Sequence, residues 1–164
     1  MDAPAPSSET REAAYARLAD EIDAVLEGEL NRVARMATVA SMLASAFDRF
    51  SWTGFYSVDP LKREELVVGP YQGALGCLRI AFDRGVCGAA ASAKRTLIVD
   101  DVEAFPGHIA CDAATRSEIV VPVFDPAGEL IAVLDVDSTA KAAFDEADAR
   151  GLETIVRRVF AIER

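Results

Sequence analysis

The chain is poor in the residues that build the commonest catalytic and scaffold arrangements: 164 residues include one histidine, one tryptophan and three cysteines. An odd number of cysteines excludes a fully paired secreted framework and leaves at least one thiol over. With His108 as the lone histidine, a Ser-His-Asp hydrolase would depend wholly on that residue. Neither GxGxxG nor GxxxxGK[ST] occurs, so nucleotide chemistry has no support and no cofactor is expected. Apolar runs such as Ile119 to Phe124 fall far short of the ~20 residues that span a bilayer, and MDAPAPSSETREAA at the start holds no apolar signal core. Basic residues are outnumbered, 17 against 27 acidic, and the formal charge of −10 repels phosphate backbones and anionic membrane surfaces. Nucleic acid and membrane are therefore not expected as partners, and the expected location is cytoplasmic.

What is present suits one globular unit: 51% of residues are hydrophobic and 27% charged, too apolar for intrinsic disorder. Residues 1–9 lack a period and read as a disordered tail ahead of a helix capped near Ser8 or Thr10, leaving 10–164 as a single domain. From Leu30, the positions Val33, Ala37, Ala40, Ala44 and Phe47 recur at steps of four and three and predict the core face of a helix. Strands are predicted as a meander at Trp52–Val58, Glu65–Val68 and Cys77–Phe82, then a short Ala-rich helix at Gly85–Lys94 and a strand at Leu97–Val99. Asp100 to Thr115 is a long loop of the kind that carries function. Ile119–Phe124 and Glu129–Val136 flank the hairpin signal Asp125-Pro126-Ala127-Gly128, and Leu152, Ile155, Val156, Val159 and Phe160 form the stripe of a closing helix. These elements predict an α+β domain, with two or three helices on one face of an antiparallel sheet and a loop-formed pocket on the other.

The hairpin carries the first chemical signal. As a plain four-residue loop it pairs Phe124 with Glu129 and sets Glu118 directly opposite Asp135, with Asp137 two residues on along the same face. Directly opposed like charges destabilise a strand pair, so a convergence of three carboxylates points to function unless a one-residue bulge scatters them into solvent. Repulsion inside such a cluster keeps at least one carboxyl protonated near neutral pH unless a cation is present, and an ammonium group would serve. Trp52, Gly54 and Tyr56 share one strand face, which aims two rings the same way. Rings and acids together suit a small amphiphilic cation, although an aromatic strand is also a common core feature. Phe55 points to the opposite face and reads as core.

In a reducing compartment cysteines are mostly small buried hydrophobes. Cys111 departs from that pattern, because its place in the long loop gives the access a nucleophile needs. Arg116 and His108 are sequence-near groups that could favour its thiolate, against the opposing acids, and His108 also reads as a loop-ordering hydrogen-bonder. Cys77 and Cys87 offer partners for disulfide exchange. A zinc site of Cys77, Cys87, His108 and Cys111 lacks the CxxC knuckles of structural sites, and no metal is expected.

The strings WTGFY (52–56), VGPYQG (68–73), RGVCGAAA (84–91), FPGHIACD (105–112), SEIVVPV (117–123) and GELIAVLDVDS (128–138) resemble, in order, those of the free methionine-(R)-sulfoxide reductases, small enzymes built on a GAF domain. The likeness covers roughly residues 30–160; departures are Tyr71 in place of Phe, Ala74-Leu75-Gly76 before Cys77, and Ala81 and Asp83 in place of Pro and Gly. The resemblance implies a six-stranded antiparallel sheet with helices on one side and a closed pocket on the other. It implies reduction of the R epimer of free L-methionine sulfoxide, with Cys111 as attacking thiol, Cys77 or secondarily Cys87 as resolving thiol, and thioredoxin as reductant of the disulfide. Glu118, Asp135 and Asp137 match the family's substrate-binding acids, and Trp52 and Tyr56 its aromatic wall. The competing expectations are a GAF module that only binds a small ligand, and a thiol-based redox sensor. No output domain follows within the chain, and a sensor has no need of the acids and rings. A homodimer through the amino-terminal helices is compatible with the sequence.

Overall fold

A computed structural model of the chain describes residues 8–109 and 111–163, so most of the expected tail lies outside the described residues. Thr10 Oγ1 accepts from the Ala13 amide at 3.1 Å and starts α1 (Arg11–Val25). Asn31 caps α2 (Arg32–Ala46) in the same way at 3.0 Å. The face that α2 buries is Met36, Val39, Ala40 and Leu43, continued by Phe47, which shares Ala40 and Phe47 with the predicted stripe but not its other three positions. Val33 is 63% exposed, Ala37 is exposed and Ala44 half-buried. Both stripes obey the helical period, and the one with the bulkier side chains removes more apolar area from water.

Six strands follow: β1 (Trp52–Val58), β2 (Glu65–Gln72), β3 (Arg79–Ala81), β4 (Leu97–Val99), β5 (Ser117–Phe124) and β6 (Leu130–Ser138). They form one sheet in the order β3-β2-β1-β6-β5-β4, antiparallel throughout, with three-residue strands at both edges. Alternation sorts the side chains. Phe55, Ile119, Val121, Leu134 and Val136 pack with α1, α2, α4 (Glu146–Val156) and the π-helical turn Arg157–Ala161 that continues it; Leu152, Ile155 and Val156 of α4 and Val159 and Phe160 of that turn are all buried as the closing stripe predicts. Trp52, Tyr56, Val120 and Val133 pack on the opposite face with Val86, Ala90 and Ala91 of α3 (Gly85–Ala93). Three helices thus cover one face, while α3 and the loops cover the other. No helix among the described residues is long and apolar enough to cross a membrane.

Two irregularities tune the sheet. Between Gly54 and Tyr56 of β1, β2 carries one extra residue, so Tyr56 pairs with Val68 but Gly54 pairs with Tyr71. Without that bulge at Gly69-Pro70, Tyr71 would pair with Thr53 and face the helices; with it, Tyr71 turns to the α3 side. The β5–β6 hairpin corrects the sequence-based register. The Asp125 amide donates to the Glu129 carbonyl at 2.9 Å, closing a three-residue loop with Gly128 at φ +81°, and a bulge then pairs Phe124 with Leu130 but Val123 with Ala132. Glu118 therefore lies opposite Asp137 rather than Asp135. Two single-residue shifts add to an even number, so the three carboxylates keep their common face.

Candidate active site

The three central strands bring the acids and rings into two adjacent rows on the α3 side. Asp137 is flanked by Trp52 on β1 and Glu118 on β5, and Asp135 by Gly54 and Val120. A side chain at Gly54 would come within 2.8 Å of the Trp52 ring, so the glycine lets the indole lie across the strand. Trp52 stacks on Tyr56 at 5.6 Å and on Tyr71 at 5.0 Å, and its indole N–H donates to the Ala74 carbonyl at 2.9 Å. Gly76 passes where a Cβ would stand 3.0 Å from the Tyr56 hydroxyl, so the segment from Gly73 to Gly76 is pressed onto the two rings.

The loop after β4 closes the cavity from the other side. The Val102 amide donates to the Arg116 carbonyl and the Arg116 amide to the Ser138 carbonyl, at 2.9 and 2.8 Å, so the loop leaves and returns at one point. Val102, Phe105 and Ile109 anchor it in the α3-side core. Cys111 stands exposed on this loop and forms a disulfide with Cys77, half-buried on the segment before β3, with Cα atoms 5.5 Å apart. The third cysteine, Cys87, is a free buried thiol in the first turn of α3. The disulfide removes Cys77 and Cys111 as zinc ligands in this form, and the zinc set weighed from the sequence is not assembled.

Between these parts lies a cleft enclosing about 500 Å³ including its open mouth, lined among others by Trp52, Tyr56, Cys87, His108, Cys111, Glu118, Asp135 and Asp137. Of the three cysteines, three acids and two rings singled out from the sequence, seven therefore border one cavity, and the eighth, Cys77, is bonded to its rim through Cys111. Tyr71 does not line the cavity but stacks on Trp52, a support the sequence reading missed; the Gly69-Pro70 pair was the available signal, since both residues favour a bulge in a strand. Arg116 is not part of the site: its guanidinium donates to the Ala113 and Thr115 carbonyls at 2.9 and 3.1 Å and stiffens the loop.

Burial and mutual repulsion dominate the electrostatics. Burial, with Asp137 nearby, pushes the Glu118 carboxyl up to about 8. Asp135 is raised well above the carboxylate range by burial and by Glu118, and Asp137 by burial and by Asp135. The same burial and charges raise the Cys87 thiol, whose sulfur lies 3.8 Å from Glu118 Oε1. His108 Nε2 is 4.0 Å from Glu118 Oε2, but burial lowers its pKa, so near neutral pH a neutral imidazole faces a protonated carboxyl. Asp135 Oδ1 and Asp137 Oδ1 are buried without a hydrogen-bond partner among the described residues, an unmet demand for donors inside the cavity.

A raised carboxyl pKa makes stability a function of pH. The folded protein holds the Glu118 proton up to about 8 while the unfolded chain releases it near 4.5, so stability is full below pH 4.5 and falls as pH rises toward 8. Glu118→Gln should abolish that component, making the ligand-free variant more stable than the wild type by on the order of 5 kcal/mol near pH 9 and about equal to it near pH 4. Melting curves of both proteins across this range check it; a constant difference in melting temperature would refute the assignment.

The arrangement defines a class: a sheet-backed pocket of the GAF type, with a cysteine pair at its mouth and a protonated acid cluster on its floor. The sequence profile of the GAF domain family matches residues 29–159. The chain is 46% identical over 151 residues to GAF domain-containing protein A of Dictyostelium discoideum, covering 92% of this chain and 93% of that protein. It is 39% identical over 145 residues to the free methionine-R-sulfoxide reductase of Escherichia coli, covering 88% and 86%. The X-ray structure of free methionine-R-sulfoxide reductase from Neisseria meningitidis in complex with its substrate is similar at a TM-score of 0.87 and 44% identity, covering 97% of this chain and 93% of that one. The chain belongs to the GAF domain family, among the free methionine-R-sulfoxide reductases.

Proposed function

We propose that the protein reduces free L-methionine-(R)-sulfoxide to L-methionine, with Cys111 as the attacking thiol and Cys77 as the resolving one. The observation that carries the reading is the Cys77–Cys111 disulfide at the mouth of a cavity whose floor is Glu118, Asp135 and Asp137. The substrate ammonium supplies the donors that the orphaned Asp135 and Asp137 oxygens lack, and binding it releases protons those carboxyls otherwise keep. The Trp52 and Tyr56 rings hold the S-methyl end, since sulfur and methyl contacts with ring edges are favourable by about 0.3 to 1.5 kcal/mol. The Cys111 sulfur takes the sulfoxide oxygen, Glu118 supplies a proton as the S–O bond breaks, methionine leaves, and Cys111 is left as a sulfenic acid. The Cys77 thiol then displaces water to form the disulfide, and a dithiol of the thioredoxin class returns both cysteines to thiols by exchange.

Cys87 has a different part in this scheme. It is buried beside Glu118 with a raised thiol pKa, so it is a poor nucleophile, and we assign it to the pocket floor rather than to disulfide exchange. A cleft closed by two loops over the acids also accounts for selectivity, because a peptide's continuing chain would have to exit through it.

The test is a chiral assay with a thiol reductant: the R epimer of free methionine sulfoxide should be consumed, and the S epimer and peptide-bound sulfoxide left untouched. Consumption of neither epimer would favour a non-catalytic ligand-binding module or a thiol sensor. Cys77→Ser should release about one equivalent of methionine per chain and then recycle with thioredoxin at least about 100-fold slower than the parent. Unimpaired recycling would transfer the resolving role to Cys87.

A further inference from the structure

We propose that the pocket floor is also a site for a thiophilic divalent cation of the zinc class, held by the Cys87 sulfur and the carboxylates of Glu118 and Asp135, and that the bound ion excludes substrate. One donor atom from each of the three residues lies within 4.8 Å of the others, and the Cys87 Sγ to Glu118 Oε1 distance is 3.8 Å. Tetrahedral zinc with bonds of about 2.0 to 2.3 Å needs donors about 3.5 Å apart, so small rotations of side chains already in place would complete three positions. His108 Nε2 is 4.0 Å from Glu118 Oε2 but lies outside this group of donors, so the fourth position falls to a solvent molecule.

Independently of this spacing, Asp135 is 6% exposed, borders the cavity, and its Oδ1 has no partner among the described residues. A buried oxygen of that kind demands a donor or a cation. Chemistry selects the ion: one thiolate among oxygens favours zinc or cadmium over magnesium or calcium, which take oxygen ligands alone. The selection persists in the oxidised protein, where Cys77 and Cys111 are consumed in the disulfide and Cys87 is the free thiol. The ion would occupy the place of the substrate ammonium, which makes it an inhibitor rather than a resident cofactor. This competition, unlike the binding, rests on the substrate reading above.

The experiment uses the oxidised full-length protein, with cadmium as spectroscopic probe and zinc followed by equilibrium dialysis. One ion per chain is expected, with an ultraviolet thiolate-to-cadmium band that is absent from Cys87→Ala, and free L-methionine should displace the ion. Asp135→Asn and Glu118→Gln keep the thiol and should each weaken zinc binding at least about tenfold, which preserves the test should Cys87→Ala fail to fold. An absent band in the folded parent, an equal band in Cys87→Ala, or unchanged affinity in both carboxylate variants would overturn the proposal. The chiral assay on chelator-treated protein separates the two readings. Turnover without ion binding sinks this site alone, whereas ion binding with neither turnover nor displacement by methionine or its sulfoxide sinks the functional reading and leaves the metal site standing.

Discussion

Cys111→Ser is expected to abolish turnover of free L-methionine-(R)-sulfoxide, a loss of at least about 10³-fold in kcat, with substrate still bound. A serine hydroxyl does not ionise near neutral pH and forms no stable counterpart of a sulfenic acid, so both the attack and the resolving step disappear together. The pocket itself should persist, because Cys111 stands exposed on a loop anchored by Val102, Phe105 and Ile109. Two measurements check this: steady-state kinetics of the variant, and retention of sulfoxide binding by calorimetry. Full activity in Cys111→Ser would remove the nucleophile from the proposal. Lost activity with lost binding would instead mark the cysteine as a pocket residue.

Asp148→Asn is expected to cost about 3 to 5 kcal/mol of stability, and so to lower the melting temperature by about 10 °C, while leaving the chemistry intact. Asp148 is fully buried on α4, on the helical side of the sheet away from the pocket. Its carboxylate accepts from the Tyr15 hydroxyl at 2.7 Å, from Arg11 Nη1 at 2.8 Å and from Arg49, and from the Asp145 amide at 2.9 Å as half of a capping box. Burial and Asp148 together push the Tyr15 hydroxyl pKa up, so that proton stays in place. The Arg49 guanidinium also lies over the Phe47 and Phe50 rings at 4.9 and 5.2 Å, which means one carboxylate ties α1, α4 and the turn after α2 together. An asparagine keeps the volume but leaves the Arg49 guanidinium beside a neutral amide, while Arg11 retains Asp145 at 3.1 Å. Thermal denaturation measures the loss, and a shift below about 3 °C would show the network to be dispensable.

The site was legible where its logic is periodic. Alternation along β1 separates Trp52 and Tyr56 from Phe55, and alternation along β5 and β6 gathers Glu118, Asp135 and Asp137, whatever even shift the hairpin adopts. The pairing itself was not legible, because it depends on a turn closed by Asp125 and Glu129 and on a bulge at Val123, both decided by local backbone geometry. Tyr71 escaped for the same reason: its face is set by the extra residue of β2 beside Gly69-Pro70, not by its neighbours in sequence. The face of α2 escaped because two stripes share one period, and only the volume available against β1 and β2 chooses between them.

From its residues alone this chain determined an acidic α+β unit, the position and type of its elements, and the candidates for chemistry, since these follow from composition, local period and side-chain reactivity. Tertiary structure alone decided which sulfur meets which, that Cys87 sits among the acids while Cys77 meets Cys111, and how far the carboxyl pKa values rise. Those properties depend on through-space distance and on the exclusion of water, quantities that exist only once strands distant in sequence lie side by side.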